Sequence, residues 1–379
     1  MKFSCQTKDV LHTIGVVSRA IGGQQALPIL GNILFQVEGK RCTLSATNLE
    51  FSIISHIEAD VENEGSITVP SKAIQNFAQY STEESVLFES VEETQLRCSS
   101  KKTKTIIAGE PASEYPTISP IEKEVTLSVG SKQFLEAIYH VTFASARTTT
   151  RPVLSGVYIK ATKNELTLVA TDSYRLSEYK MPILERKGEV ECIVPTRVLI
   201  EIMSVLGGKK EEGEEGGGKN EKVTITLSSQ QIEVVVHQTT FLSRLIDGSF
   251  PKYEQILPTS SHTTLTLPLA EFLTNVKRMH YFAKESNNNL TFTITPKEVL
   301  IQTQPTQIGR DESTMAGEVK GEKNKIALSS AYLLDFLSHV SGESVQMKIE
   351  DKMHPAVFEL PNLPNFLHLI MPLRLTEEE

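Results

Sequence analysis

One helix, written six times, constrains this chain more than anything else in it. The stretch Thr126–Ala146, TLSVGSKQFLEAIYHVTFASA, is a short alternating run, a polar residue and an amphipathic helix. Counted from Ser131, the apolar residues Phe134, Leu135 and Ile138 fall at +3, +4 and +7. That spacing places side chains on one face of a 3.6-residue helix. The same register starts at Thr7 (Val10, Leu11, Ile14), Ser71 (Ile74, Gln75, Ala78), Thr196 (Leu199, Ile200, Met203), Leu269 (Phe272, Leu273, Val276) and Ser330 (Leu333, Leu334, Leu337). Successive starts lie 64, 60, 65, 73 and 61 residues apart. Ser131 has the chemistry of an N-cap.

Around each helix the pattern is strand, helix, then three strands. Lys2–Gln6 and Ser66–Val69 alternate ahead of the first two helices, and runs around Ser85–Ser90, Thr94–Ser99 and Thr103–Ala108 follow the second. The expected unit is therefore β-α-β-β-β, used twice per domain. Pro111, Pro116 and Pro120 interrupt the alternation and mark a linker. The long-range similarity runs through strands in matching order, since LSGVYIKA parallels LGNILFQV and LTLVATDSYRLSEY parallels CTLSATNLEFSII. The reading is an α+β protein of three repeated domains, 1–122, 123–253 and 254–379. The one long spacing is filled by Gly207–Lys222, GGKKEEGEEGGGKNEK, which has little to bury and is expected to be a disordered surface loop. The residues after Leu375, TEEE, form a short acidic tail.

With 39% hydrophobic and 22% charged residues, the 379-residue chain has the composition of an ordinary globular protein. The N-terminus MKFSCQTKDV lacks a secretory apolar core, and a cytoplasmic location is expected. Cys5, Cys42, Cys98 and Cys192 are spread without a CxxC and read as reduced thiols on strands. A net charge of −9 argues mildly against binding nucleic acid through bulk charge and leaves a local basic surface open.

No catalytic constellation emerges. The glycines of Gly207–Gly218 are interleaved with glutamates that would repel phosphate. Nine histidines stand without HExxH or HxH spacing, so neither a metal nor another cofactor is expected. Asp172 and His140 suit a turn cap and an exposed helix face better than an acid–base pair. Repeats of one domain build surfaces more often than pockets.

Several segments together resemble the bacterial sliding clamp, the beta subunit of DNA polymerase III. They are MKF at the start, LPILGN at Leu27–Asn32, VP before the second helix of domains one and two, TDSYRL at Thr171–Leu176, LIDGSFPKYEQILP at Leu245–Pro258 and MPLRL at Met371–Leu375. The resemblance covers nearly the whole chain in order. It implies the DNA clamp fold, with antiparallel sheets outside and helices lining the ring of a head-to-tail homodimer. Such a ring encircles duplex DNA of any sequence and confers processivity without catalysis. Its partners are the replicative polymerase catalytic subunit, repair polymerases, the clamp loader and other proteins carrying a clamp-binding peptide; no membrane is involved.

By position, the resemblance assigns the partner-peptide groove to Leu154, Thr171, Tyr174, Arg175, Leu176, Pro251, Ile256, Ile370, Met371, Pro372, Leu373 and Arg374. Tyr174 stands where the best-known members have His, and Gln255 replaces a basic residue beside the groove. The DNA-facing set is Gln24, Lys72, Arg147 and Arg197. The subunit contact is assigned to Phe77 and Ile107 on one chain and Tyr281 and Phe282 on the other. A repeat scaffold that assembles without surrounding DNA is the rival class.

Overall fold

The computed structural model describes the chain except residues 24–26, 149, 208–221 and 375–379. The expectations for Gln24, for most of the Gly/Glu insertion and for the TEEE tail fall outside the described residues.

Six β-α-β-β-β repeats are present. The first is β1 (Lys2–Gln6), α1 (Thr7–Val17), β2 (Asn32–Glu38), β3 (Arg41–Thr47) and β4 (Phe51–Glu58), with a short β5 (Asp60–Asn63). The second is β6 (Gly65–Pro70), α2 (Ser71–Gln79), β7 (Ser85–Val91), β8 (Gln95–Ser99) and β9 (Lys104–Ala108). The third is β10 (Val125–Gly130), α3 (Ser131–Thr142), β11 (Gly156–Ala161), β12 (Glu165–Thr171) and β13 (Arg175–Pro182), with β14 (Glu185–Lys187). The fourth is β15 (Val190–Pro195), α4 (Thr196–Leu206), β16 (Lys222–Leu227), β17 (Gln231–Val236) and β18 (Thr239–Arg244). The fifth is β19 (Thr263–Pro268), α5 (Leu269–Ala283), β20 (Asn289–Ile294), β21 (Val299–Thr303) and β22 (Glu312–Met315), with β23 (Glu318–Gly321). The sixth is β24 (Asn324–Ser329), α6 (Ser330–Ser338), β25 (Ser344–Ile349), β26 (Ala356–Leu360) and β27 (Leu363–Ile370).

The repeats do not fold as separate sheets. Each gives its first strand to the other repeat of its pair: β1 lies against β7, and β6 against β2. The same exchange pairs β10 with β16, β15 with β11, β19 with β25 and β24 with β20. Every pair thus builds a five-stranded half, edged by β5, β14 or β23, and a four-stranded half. Two halves then join twice within the chain, at β18–β4 and at β13–β27. Among the described residues the result is two nine-stranded antiparallel sheets, one five-stranded sheet and one four-stranded sheet. The two compact units of the chain follow these joins, the first comprising Met1–Lys132, Leu184–Glu189 and Glu201–Leu245, the second the rest.

The helices bury the expected face, shifted slightly. On α3, Phe134, Ala137, Ile138 and Val141 are buried, and on α5 Phe272, Asn275, Val276 and Met279. The stripe is therefore +3, +6, +7 and +10. The +4 residues sit at its rim, Leu11 and Ile200 being substantially exposed. The N-cap expectation also needs correction. Ser131 is the first helical residue, and the caps of α1, α2, α5 and α6 carry no side-chain cap bond. The first amides are satisfied by the paired repeat instead. Thr7 N–H donates to the Glu84 carbonyl (2.9 Å), Leu269 N–H to that of Glu343 (3.0 Å) and Ser330 N–H to that of Asn288 (2.7 Å).

The four cysteines lie on strands and are free. Burial pushes the thiols of Cys5, Cys98 and Cys192 up to about 12. No helix among the described residues is long and apolar enough to cross a membrane.

Candidate functional site: an apolar groove and two open sheet edges

The groove is built on the hairpin turn between β12 and β13, whose sequence is Thr171-Asp172-Ser173-Tyr174-Arg175. The Asp172 carboxylate accepts the Tyr174 and Arg175 amides at 2.9 and 3.0 Å, an Asx turn. The Thr171 hydroxyl donates to the Arg175 carbonyl (2.6 Å) and accepts the Ser173 amide (3.1 Å). Ser173 sits at φ 80°, a left-handed conformation that a residue with a Cβ adopts only when its surroundings hold it. Asp172 is thus the turn cap the sequence suggested. His140 is not an exposed helix residue: it is half-buried, its Nδ1 hydrogen-bonds the Glu136 carbonyl, and it packs on Tyr179 and Phe366.

The β27 strand closes the turn from the other side. Arg175 pairs with Ile370 and Leu176 with Leu369, and the Met371 amide donates to the Tyr174 carbonyl (2.8 Å). Beneath lies an apolar floor of Tyr158, Val169, Leu176, Ile193, Tyr253 and Leu369, with Val153, Phe250, Leu257 and Met371 packed against it. The Tyr253 hydroxyl donates to Glu178 (2.7 Å); burial and that carboxylate raise its pKa.

The assigned residues divide by exposure. Leu154, Thr171, Arg175, Leu176 and Ile370 are buried and form support rather than surface. Tyr174 at 62% and Ile256 at 43% exposure, with Pro251 and Arg374, are open, and Met371, Pro372 and Leu373 are half-buried between them. Sequence reasoning missed Tyr158, Phe250 and two residues of α6. Tyr332 stacks on Tyr174 and carries the Arg175 guanidinium 4.8 Å from its ring centre, and Asp335 accepts Arg175 Nη1 at 2.7 Å.

The repeat equivalence gives the physical reason the groove lies here. The turn Thr47–Phe51 between β3 and β4 has the same construction: Asn48 accepts the Glu50 and Phe51 amides, and Arg244 N–H donates to the Glu50 carbonyl (2.9 Å). Its floor differs in chemistry. Where the groove has Val169, Leu176 and Ile193, the equivalent positions hold Ser45, Ser52 and Thr68. Among the described residues, a small apolar cluster of Ile29, Leu34 and Tyr115, with Ala112 packed against it, lies beside these positions. The β13–β27 junction thus carries an apolar wall, where the equivalent positions at the β4–β18 junction are polar.

Of the assigned contact residues, Phe77 and Ile107 are buried, and with Lys72, Ala73, Asn76 and Ile106 they line a concavity of 610 Å³ between α2 and β9. Two large apolar side chains that the sequence reading did not single out are exposed, Ile106 in this lining (52%) and Tyr80 at the C-terminal end of α2 (71%). On α5, Tyr281 is 66% exposed with its ring at 90° to that of Phe282. Phe282 is half-buried and Gly309, at φ +118°, lies over it, so it serves its own loop. Lys72, Arg147 and Arg197 are all exposed, and Arg147 stands 4.0 Å from Asp335. Among the described residues no group of three His, Cys, Asp or Glu side chains is placed to hold a metal.

Three family models match the chain in succession. They are the DNA polymerase III beta subunit N-terminal domain over residues 1–119, the central domain over 128–252 and the C-terminal domain over 254–374. The chain belongs to the bacterial beta sliding clamp family. Its similarity to the beta sliding clamp of Synechocystis is 24% identity, covering 99% of this chain and all of that one. Identity to the Bacillus subtilis beta sliding clamp is 26% at the same coverage. The fold matches the crystal structure of the Bacillus subtilis sliding clamp with a TM-score of 0.91 at 24% identity, covering 99% of this chain and 100% of that one. A Pseudomonas aeruginosa sliding clamp bound to griselimycin gives the same TM-score, identity and coverage. This clamp-family chain therefore keeps the fold while replacing about three residues in four.

Proposed function

We propose that two copies of this chain close head to tail into a ring that encircles duplex DNA and tethers replicative and repair polymerases. The chain is a non-catalytic processivity subunit of the DNA polymerase III kind. The observation that carries the ring is a remainder in the sheets. Inside the chain a five-stranded half bonds a four-stranded half twice, through β18–β4 and β27–β13. One five-stranded half ending at β9 and one four-stranded half ending at β22 are left over, and both strands occupy positions equivalent to the joined ones. Head-to-tail pairing of β9 with the β22 of a second copy, done twice, completes two more nine-stranded sheets and covers those edges. Charge supports the match at Glu312 of β22, opposite Lys101, Lys102 and Lys104 in and beside β9, while Asp311 is already held by Arg278 (2.8 Å). Tyr281 is the exposed anchor for the concavity lined by Phe77 and Ile107.

In this reading the three domains are 1–122, 123–253 and 254–379, and the six helices of each chain face the DNA. Gln24, Lys72, Arg147 and Arg197 contribute weak, sequence-independent phosphate contacts. The groove takes the short peptides of the polymerase catalytic subunit, the clamp loader and other partners, and Met371 gives it adaptability. The place of action is the cytoplasm. A primer-extension assay on a long circular template tests the function: with a polymerase and loader of this family, the chain lengthens the product made per binding event. Products of unchanged length refute it.

A further inference from the structure

We infer that His140, His339 and His368, gathered where β13 meets β27, make that join a proton-sensitive hinge, a response that the equivalent join of β4 with β18 lacks. The three imidazoles come from α3, the end of α6 and β27, and they share aromatic neighbours. The Tyr139 ring lies 5.2 Å from both His140 and His339, Phe143 lies 4.4 Å from His339 and 5.3 Å from His368, and Phe366 lies 5.1 Å from His140 and 6.5 Å from His368. Nδ1 of His140 meets the Glu136 carbonyl at 2.8 Å, and Nδ1 of His339 meets that of Asp335 at 2.7 Å. A carbonyl only accepts, so in each ring Nδ1 carries the proton and Nε2 is the atom left to take another.

His368 is the innermost of the three. It is fully buried, pairs with Ser177 across the join and bonds that hydroxyl through Nδ1 at 2.8 Å. Its Nε2 is buried with no hydrogen-bond partner among the described residues. Phe336 stacks on the ring at 4.8 Å, and Phe358 lies at 6.4 Å. The charged and titratable groups on the surrounding elements are already committed. Arg175 of β13 is held by Asp172 and by Asp335 of α6, Glu178 of β13 by Tyr253 and Lys180, Glu136 of α3 by Tyr179 of β13, and Glu359 of β26 by Lys348. An imidazolium at His368 would face Arg175 and two further imidazoles without a carboxylate of its own. Burial, and then the Arg175 charge, holds its pKa well below 6.5, and burial lowers that of His140.

The β4–β18 join fills the same positions with apolar residues. Counted from the first helical residue, His140 answers to Val16 of α1 and His339 to Val205 of α4, all nine positions on. His368 answers to Phe241, which pairs with Ile53 where His368 pairs with Ser177. While the β13–β27 join is closed, His368 stays neutral; once the strands part, it takes a proton below its ordinary 6.5, so falling pH favours the open form. At the β4–β18 join these positions hold nothing to titrate.

Hydrogen exchange of the intact chain, read by mass spectrometry and corrected for the intrinsic pH dependence of amide exchange, compares β13 and β27 with β4 and β18. Between about pH 7.5 and about pH 5.5, one imidazole of ordinary pKa raises the open population about tenfold. Protection of β13 and β27 should fall by at least that factor, while β4 and β18 keep theirs. His368→Phe, which copies the other join, should remove most of the loss. His368→Gln, which can still bond Ser177 and does not titrate, should do the same. Adding His140→Val and His339→Val should remove the remainder. Parallel loss at both joins, no loss at either, or an undiminished loss in folded His368→Gln overturns the inference.

Discussion

Replacing Ile106 tests how two copies meet. It lies on the free edge strand β9 and is 52% exposed in the single chain. Complete burial of such a side chain is worth about 1.5–3 kcal/mol, so covering its exposed half contributes about 1 kcal/mol at one seam. A head-to-tail dimer has two identical seams, so Ile106→Ala removes about 2 kcal/mol per dimer, close to a thirtyfold rise in dissociation constant. Sedimentation equilibrium over a concentration series reads that shift. A sharper form uses Ile106→Asp in one chain and Tyr281→Asp in another. Alone, each has two damaged seams; mixed, they form a heterodimer with one doubly damaged and one intact seam. Dimer should reappear on mixing. If Tyr281→Asp dimerises as tightly as the unaltered chain, or mixing restores nothing, the head-to-tail argument fails.

Two further expectations follow from individual side chains. His368 is fully buried, hydrogen-bonded through Nδ1 to Ser177 at 2.8 Å and stacked on Phe336, and desolvation holds its pKa well below the ordinary 6.5. The unfolded chain takes up that proton near pH 6.5 and the folded chain does not, so stability falls as pH drops below 6.5, by up to about 1.4 kcal/mol per unit for each such group. Burial shifts His140 and His280 in the same direction. Urea unfolding at stepped pH should show this loss, with a shallower slope in His368→Gln; stability flat from pH 7 to 5.5 contradicts it. Neutralising Lys72, Arg147 and Arg197 together should lower retention on nicked circular DNA at low salt and flatten the salt dependence, each lost phosphate contact reducing the slope by about 0.9. An unchanged slope removes them from the DNA-facing set.

The repeats were legible because a buried helix face and a half-buried strand leave periodic signatures, and all six β-α-β-β-β units stand where the spacing puts them. The three short strands β5, β14 and β23 were not. Their sequences, DVEN, ERK and EVKG, lie at sheet edges with little to bury and so carry no alternation. The joins between halves were also hidden, since β9 (KTIIA), which is left open, and β18 (TTFLSR), which is bonded to β4, are both short mixed strands whose residue types do not say which edge has a neighbour. At the groove, the Thr171–Arg175 turn was readable as local chemistry. Tyr332 and Asp335 were not, because Asp335 meets Arg175 across 160 residues, and their helix shows only a stripe that serves its own core. The buried state of Phe77 and Ile107 was equally invisible: an apolar residue on an edge looks the same in sequence whether it faces its own core or a partner.

Topological retention tests the central claim most directly. The chain, labelled and loaded onto a nicked circular duplex by a loader of this family, should stay bound through gel filtration at moderate salt and be lost once a restriction enzyme opens the circle. Equal retention on circular and linear DNA, or equal loss from both, would contradict a closed ring around the duplex.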